Sequence, residues 1–200
     1  MNLPNKLTIL RIILTPIFML VFLIPFPHHL LLALLIFIGA SITDAIDGNY
    51  ARKYNLVTDF GKFLDPLADK MLTTAAFLGF ISLEIGYGIV LITFIVLFRE
   101  FLISSLRLTA VKSGTVIAAN VWGKAKTITQ MVAIITAMVF EYFKYLDIEY
   151  FNFFKNLLNG ILFNLLDILT SIFLWVSALL AVISGIIYVI DNKKCIDTNS

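Results

Sequence analysis

Charge is scarce in this chain: 14% of its 200 residues are Asp, Glu, Lys or Arg, against roughly a quarter in an ordinary soluble domain. That scarcity excludes a globule with a normal water-facing surface. With 60% hydrophobic residues and a mean hydropathy of +0.96, the chain calls for a lipid bilayer as its solvent. Cysteine is almost absent. The single Cys195 excludes an internal disulfide and has no His or Cys nearby for a thiolate metal site, so it reads as a plain tail residue. Histidine is confined to His28 and His29, in a proline-flanked turn with nothing in sequence to pair with them, which reads as an interfacial loop and not a ligand pair. A net charge of +2, with no basic stripe beside stacking aromatics, excludes nucleic acid as a partner.

Long apolar runs are abundant. A spanning helix needs about 20 apolar residues, and hydropathy places six spans at residues 7–24, 30–46, 64–83, 89–108, 127–143 and 168–190. Polar connectors are expected at 47–60 and 112–126. Residues 147–167 mix aromatic, polar and apolar side chains as an interfacial helix does. Lys6 and Arg11 before the first run resemble the start of a signal peptide. The Pro25-Phe26-Pro27 sequence that follows offers no small-residue cleavage site, so this span is expected to be retained. The fold expected is an all-α integral membrane bundle of about six helices, forming one domain over residues 1–200. With both termini cytoplasmic, every Lys and Arg except Lys144 and Lys155 falls on the inner side, the orientation that the positive-inside rule selects.

Four of the 13 acidic residues are concentrated in one pattern: Asp44-x-x-Asp47-Gly48-x-x-Ala51-Arg52, then, after eight residues, Gly61-x-x-x-Asp65-x-x-x-Asp69. Asp44, Asp47, Gly48 and Ala51 share one helix face, and Gly61, Asp65 and Asp69 share another. Two such helices facing each other bring four carboxylates together, with a glycine on each permitting close approach. Like charges repel strongly in a low dielectric, and bound divalent metal relieves them; oxygen-only ligands suit Mg²⁺ or Mn²⁺. The alternative is a helix-end ion-pair cluster with Arg52, Lys53, Lys62 and Lys70. Pro66 fits the second helix if that helix begins near Gly61 or Lys62, where few backbone donors have intrahelical partners.

This motif, complete at every position, resembles that of the CDP-alcohol phosphatidyltransferases. The resemblance implies two Mg²⁺ or Mn²⁺ ions held by Asp44, Asp47, Asp65 and Asp69, with Asp69 also taking the proton from the acceptor hydroxyl. It implies CDP-lipid contacts from Gly48, Arg52, Thr58, Asn5 and Thr8, although Asn5 and Thr8 also read as helix N-caps. It further implies a homodimer in the bacterial inner membrane, working on its cytoplasmic face.

A second polar cluster is cationic. Arg99 and Arg107 stand eight apart on one face of the fourth span, and Lys124 and Lys126 open the fifth. Arg99 within an apolar run is costly unless it meets an anion, either Glu100, a motif aspartate, or a substrate phosphate. The segments Asn2–Arg11, Arg99–Phe101 with Arg107, and Gly123–Ala133 resemble the branch of the family that transfers phosphatidyl from CDP-diacylglycerol to sn-glycerol 3-phosphate, giving phosphatidylglycerophosphate and CMP. Arg99, Arg107, Lys124 and Lys126 are then the acceptor-phosphate residues. Serine, an inositol phosphate or phosphatidylglycerol are alternative acceptors. A divalent-cation transporter is the rival of another class, but it predicts mid-membrane carboxylates and an internal repeat that the sequence does not contain.

Overall fold

The computed structural model describes residues 3–53, 59–112, 121–151 and 160–192, and every regular element among them is helical. Helix α1 spans Leu3–Leu23, α2 His29–Lys53, α3 Asp59–Ser82, α4 Ile89–Lys112, α5 Val121–Leu146 and α6 Ile161–Asp191, with a π-helical turn at Asp147–Phe151 after α5. A helix closes its backbone hydrogen bonds internally, which is why unbroken Leu-, Ile-, Phe- and Ala-rich runs adopt it in an apolar medium.

Several boundaries differ from expectation. Helix α2 continues to Lys53, so the residues expected to begin a connector at 47 are helical. Helix α3 begins at Asp59, which places Pro66 deeper than one turn; the helix nevertheless continues unbroken to Ser82, as α1 does through Pro16. One missing N–H in a long, packed helix is tolerated. Helix α6 begins at Ile161 and absorbs the end of the segment expected to lie at the interface. The start of that segment, Asp147–Phe151, is the π-helical turn, while 152–159 lies outside the described residues, as does Cys195.

By length and composition, Asn5–Leu23, Ile89–Leu108 and Ile161–Asp191 are able to cross a membrane. Helices α2 and α3 carry shorter apolar stretches, His29–Asp44 and Lys70–Ser82, because the aspartate motif occupies their adjoining ends. The six even spans expected from hydropathy are thus three long apolar helices and three with polar ends among the described residues. The surface of the bundle is apolar: Phe94, Phe98, Phe101, Leu20 and Ile186 are all exposed, as lipid-facing side chains are.

Helix α1 lies along both α2 and α3, which touch each other only sparingly among the described residues; most of the motif's side chains, where the two helices were expected to face each other, lie outside what is described. Helix α6 packs on α5 and α4, and the two halves join through α2 with α5 and α3 with α4. The end of the bundle away from Asp44 is closed by buried phenylalanines: Phe18 stacks on Phe22 at 5.6 Å, and Phe22 meets the edge of Phe80 at 5.9 Å. Gly79 makes room for this, since a Cβ there would stand 2.5 Å from the Phe22 ring.

That end also corrects the reading of His28. It has partners: its ring stacks on Tyr150 with centroids 5.5 Å apart, and its Nδ1 lies 3.1 Å from the Tyr142 hydroxyl. Lys144, at the end of α5, donates to Asp167 of α6 and pairs with Glu141, each at 2.6 Å. Burial pulls the Lys144 pKa down, but the two carboxylates outweigh it and raise it overall.

Candidate active site

The helices alternate in direction, so the C-terminal ends of α2, α4 and α6 and the N-terminal ends of α1, α3 and α5 share one end of the bundle. All four motif aspartates lie toward this end, Asp44 and Asp47 on α2, Asp65 and Asp69 on α3. The backbone places Gly48 and Arg52 on α2 as well; Thr58 lies outside the described residues. The side chains of Asp47, Arg52, Asp65 and Asp69 are likewise outside what is described.

Asp44 has a partner that the sequence reading assigned no role. The Arg11 guanidinium of α1, 3% exposed, forms an ion pair with its carboxylate, which remains 45% exposed. Helix α1 presents one polar face here: Asn5, Thr8, Arg11 and Thr15 are all buried, at helical spacing, and the same face continues into Phe18 and Phe22. Because α1 starts at Leu3, Asn5 and Thr8 are inside the helix and do not cap it. A part-exposed carboxylate, in a motif whose donors are all carboxylate oxygens, fits a hard divalent cation such as Mg²⁺ or Mn²⁺.

Helix α4 is the hub of the remaining polar contacts. Toward α3, Lys70 donates to Ser104, whose hydroxyl donates to the Glu100 carbonyl at 2.6 Å. Toward α5, Glu100 pairs with Lys126, whose side chain is 2% exposed. Toward α6, Arg99 Nη2 donates to Ser184 Oγ at 2.6 Å, and Arg107 Nε donates to Tyr188 Oη at 3.3 Å. Arg99 Nη1 also stands 3.9 Å from Glu100 Oε2, a long ion pair, so the Glu100 carboxylate faces both Lys126 and Arg99. Arg99, Arg107 and Lys126 are therefore gathered around α4, while Lys124 is exposed at the start of α5. Sequence reasoning missed Ser104, Ser184 and Tyr188, and it named Arg11 and Lys70 without the partners the structure gives them, Asp44 and Ser104. Ser184 and Tyr188 do fall four apart in an apolar helix, a visible but weak signal.

The CDP-alcohol phosphatidyltransferase family matches residues 1–183. The CDP-diacylglycerol–glycerol-3-phosphate 3-phosphatidyltransferase of Bacillus subtilis is 38% identical, the match covering 100% of this chain and 99% of that protein. A protein of the same name from Rickettsia bellii is 37% identical, over 96% of each chain. A probable phosphatidylglycerophosphate synthase of Mycobacterium tuberculosis is 41% identical over 66% of this chain and 64% of its own length.

Proposed function

The chain belongs to the CDP-alcohol phosphatidyltransferase family, and from that premise we propose that it transfers the phosphatidyl group of CDP-diacylglycerol to sn-glycerol 3-phosphate, giving phosphatidylglycerophosphate and CMP. The observation that carries this reading is the match over the whole chain to a relative named for that reaction. The cationic groups around α4 support it, since an arginine among apolar helices requires an anion and a phosphate monoester supplies one.

The hydroxyl oxygen of the acceptor forms a bond to the phosphorus next to diacylglycerol, and the bond from that phosphorus to CMP breaks. Asp44, Asp47, Asp65 and Asp69 would hold two Mg²⁺ or Mn²⁺ ions, members of the family being generally metal-dependent. Bound there, such ions supply charge stabilisation to the attacking and leaving oxygens. Arg11 holds Asp44 in place from α1. Asp69 takes the proton from the acceptor hydroxyl. Gly48 lets the diphosphate come close to α2, Arg52 offers it a fork of donors, and Asn5, Thr8 and Thr58 serve the nucleotide. Arg99, Arg107 and Lys124 grip the acceptor phosphate, with Lys126 behind them on Glu100. The acyl chains stay among lipid while the head group reaches the polar end. One catalytic domain per chain, a homodimer, and placement in the bacterial inner membrane with the polar end facing the cytoplasm complete the proposal.

The test is an acceptor panel. Purified protein, CDP-diacylglycerol and Mg²⁺ are incubated separately with glycerol 3-phosphate, serine, an inositol phosphate and phosphatidylglycerol, and the lipid product is weighed by mass spectrometry. Phosphatidylglycerophosphate from the first mixture alone is expected. Any other product without it overturns the acceptor assignment.

A further inference from the structure

The two arginines of α4 do not stand alone, because each ends on a hydroxyl of α6. Arg99 Nη2 donates to Ser184, which is fully buried, and Arg107 Nε donates to Tyr188, which is 2% exposed. The Arg107 guanidinium also lies over the Tyr188 ring, 5.6 Å from its centroid. Between the two hydroxyls sits Gly185; a Cβ there would stand 3.2 Å from Arg99 Cγ, so the glycine lets the arginine stem lie against the helix.

The register of these contacts is unequal. Eight residues separate the arginines, about 12 Å along α4, whereas four separate their partners, about 6 Å along α6. Binding to α6 therefore draws the two guanidinium groups toward each other. Like charges separate when left to themselves; side chains this long hold a convergent pose only when something fixes them. Donors are still to spare: Arg99 Nε is buried without a hydrogen-bond partner. Two converged guanidinium groups with an unused donor match a tetrahedral anion better than either alone.

We propose that Ser184 and Tyr188 are positioning residues that converge Arg99 and Arg107 on the phosphate of the acceptor. This rests on the reading of those arginines as the acceptor-phosphate grip. Neither hydroxyl needs to touch the reacting atoms. Their contribution is to present a set geometry, so its loss weakens acceptor binding and leaves the chemical step and the CDP-lipid side alone.

Steady-state kinetics of Tyr188→Phe, Arg107→Ala and the double variant test this, with each substrate varied in turn. Tyr188→Phe retains the ring and deletes one hydrogen-bond acceptor, so KM for glycerol 3-phosphate should rise roughly three- to tenfold, with kcat and the KM for CDP-diacylglycerol within about twofold. Added to Arg107→Ala it should have no further effect, because its action passes through that arginine. Ser184→Ala with Arg99→Ala forms the parallel cycle, and decides the matter if Tyr188→Phe does not fold. Equal rises in both KM values, or a full additional effect on the arginine-free background, overturn the proposal. If Arg107→Ala raises the acceptor KM and neither hydroxyl variant does, the positioning role fails and the acceptor reading stands. If the arginine variants leave the acceptor KM unchanged, the acceptor reading fails and this proposal falls with it.

Discussion

Glu100 and Lys126 join α4 to α5 by an ion pair whose two ends differ in what else surrounds them, and that difference predicts an asymmetry. The Lys126 side chain is 2% exposed and that of Glu100 19%. Glu100→Gln removes the carboxylate facing a buried ammonium, a loss of about 3–5 kcal/mol when one partner of a buried pair is deleted. Lys126→Met is milder. The remaining carboxylate keeps Arg99 Nη1 at 3.9 Å, and the thioether fills much of the volume of the lysine stem. About 1–2 kcal/mol is expected for it, within the ordinary range of point substitutions. In thermal terms 1 kcal/mol is worth about 2–4 °C for a chain of this size, so Glu100→Gln should melt at least about 6 °C lower and Lys126→Met about half of that deficit or less. The assay heats purified protein in detergent and follows the monodisperse fraction by size-exclusion chromatography. A Lys126→Met variant as unstable as Glu100→Gln would refute the reasoning, because Arg99 would then be contributing nothing to Glu100.

Asp44→Asn, Asp47→Asn, Asp65→Asn and Asp69→Asn should each lose most activity, since a neutral amide holds Mg²⁺ poorly; near-normal turnover in two of them at limiting Mg²⁺ would end the two-metal reading. Arg107→Ala should raise KM for glycerol 3-phosphate roughly tenfold or more and leave that for the CDP-lipid nearly constant, while Arg52→Ala should do the reverse, both read from initial rates with one substrate saturating. Gly79→Ala should lower stability by about 1–3 kcal/mol through overpacking, because the Phe22 ring that it meets is held by Phe18 and Phe80, and a thermal midpoint equal to that of the parent would show the ring free to move.

The all-helical fold was legible because hydropathy and charge scarcity act along the chain, and so was the placement of the aspartates on two helices, because helical spacing is a local property. What was not legible is non-local. Nothing in the order of residues says that α1 lies along both α2 and α3, so Arg11, which looked like a charge flanking an apolar run, turned out to face Asp44. Glu100 is beside Arg99 in sequence, which invited pairing them, and the two do pair at 3.9 Å; what the sequence did not show is that the same carboxylate also meets Lys126 on another element. Ser184 and Tyr188 were hidden in the most apolar helix, where a hydroxyl is an ordinary helix–helix contact until its partner is known to be an arginine. His28 was read as unpaired for the same reason, its tyrosines lying more than a hundred residues away.

The central claim is the transfer itself, and a doubly labelled turnover assay tests it most directly. Protein is supplied with CDP-diacylglycerol, isotopically labelled glycerol 3-phosphate and Mg²⁺, and both released CMP and label entering the lipid phase are counted. The account predicts one CMP for each label incorporated, both abolished by chelating the metal and by omitting either substrate. Release of CMP without label in the lipid, or incorporation without CMP, would contradict it.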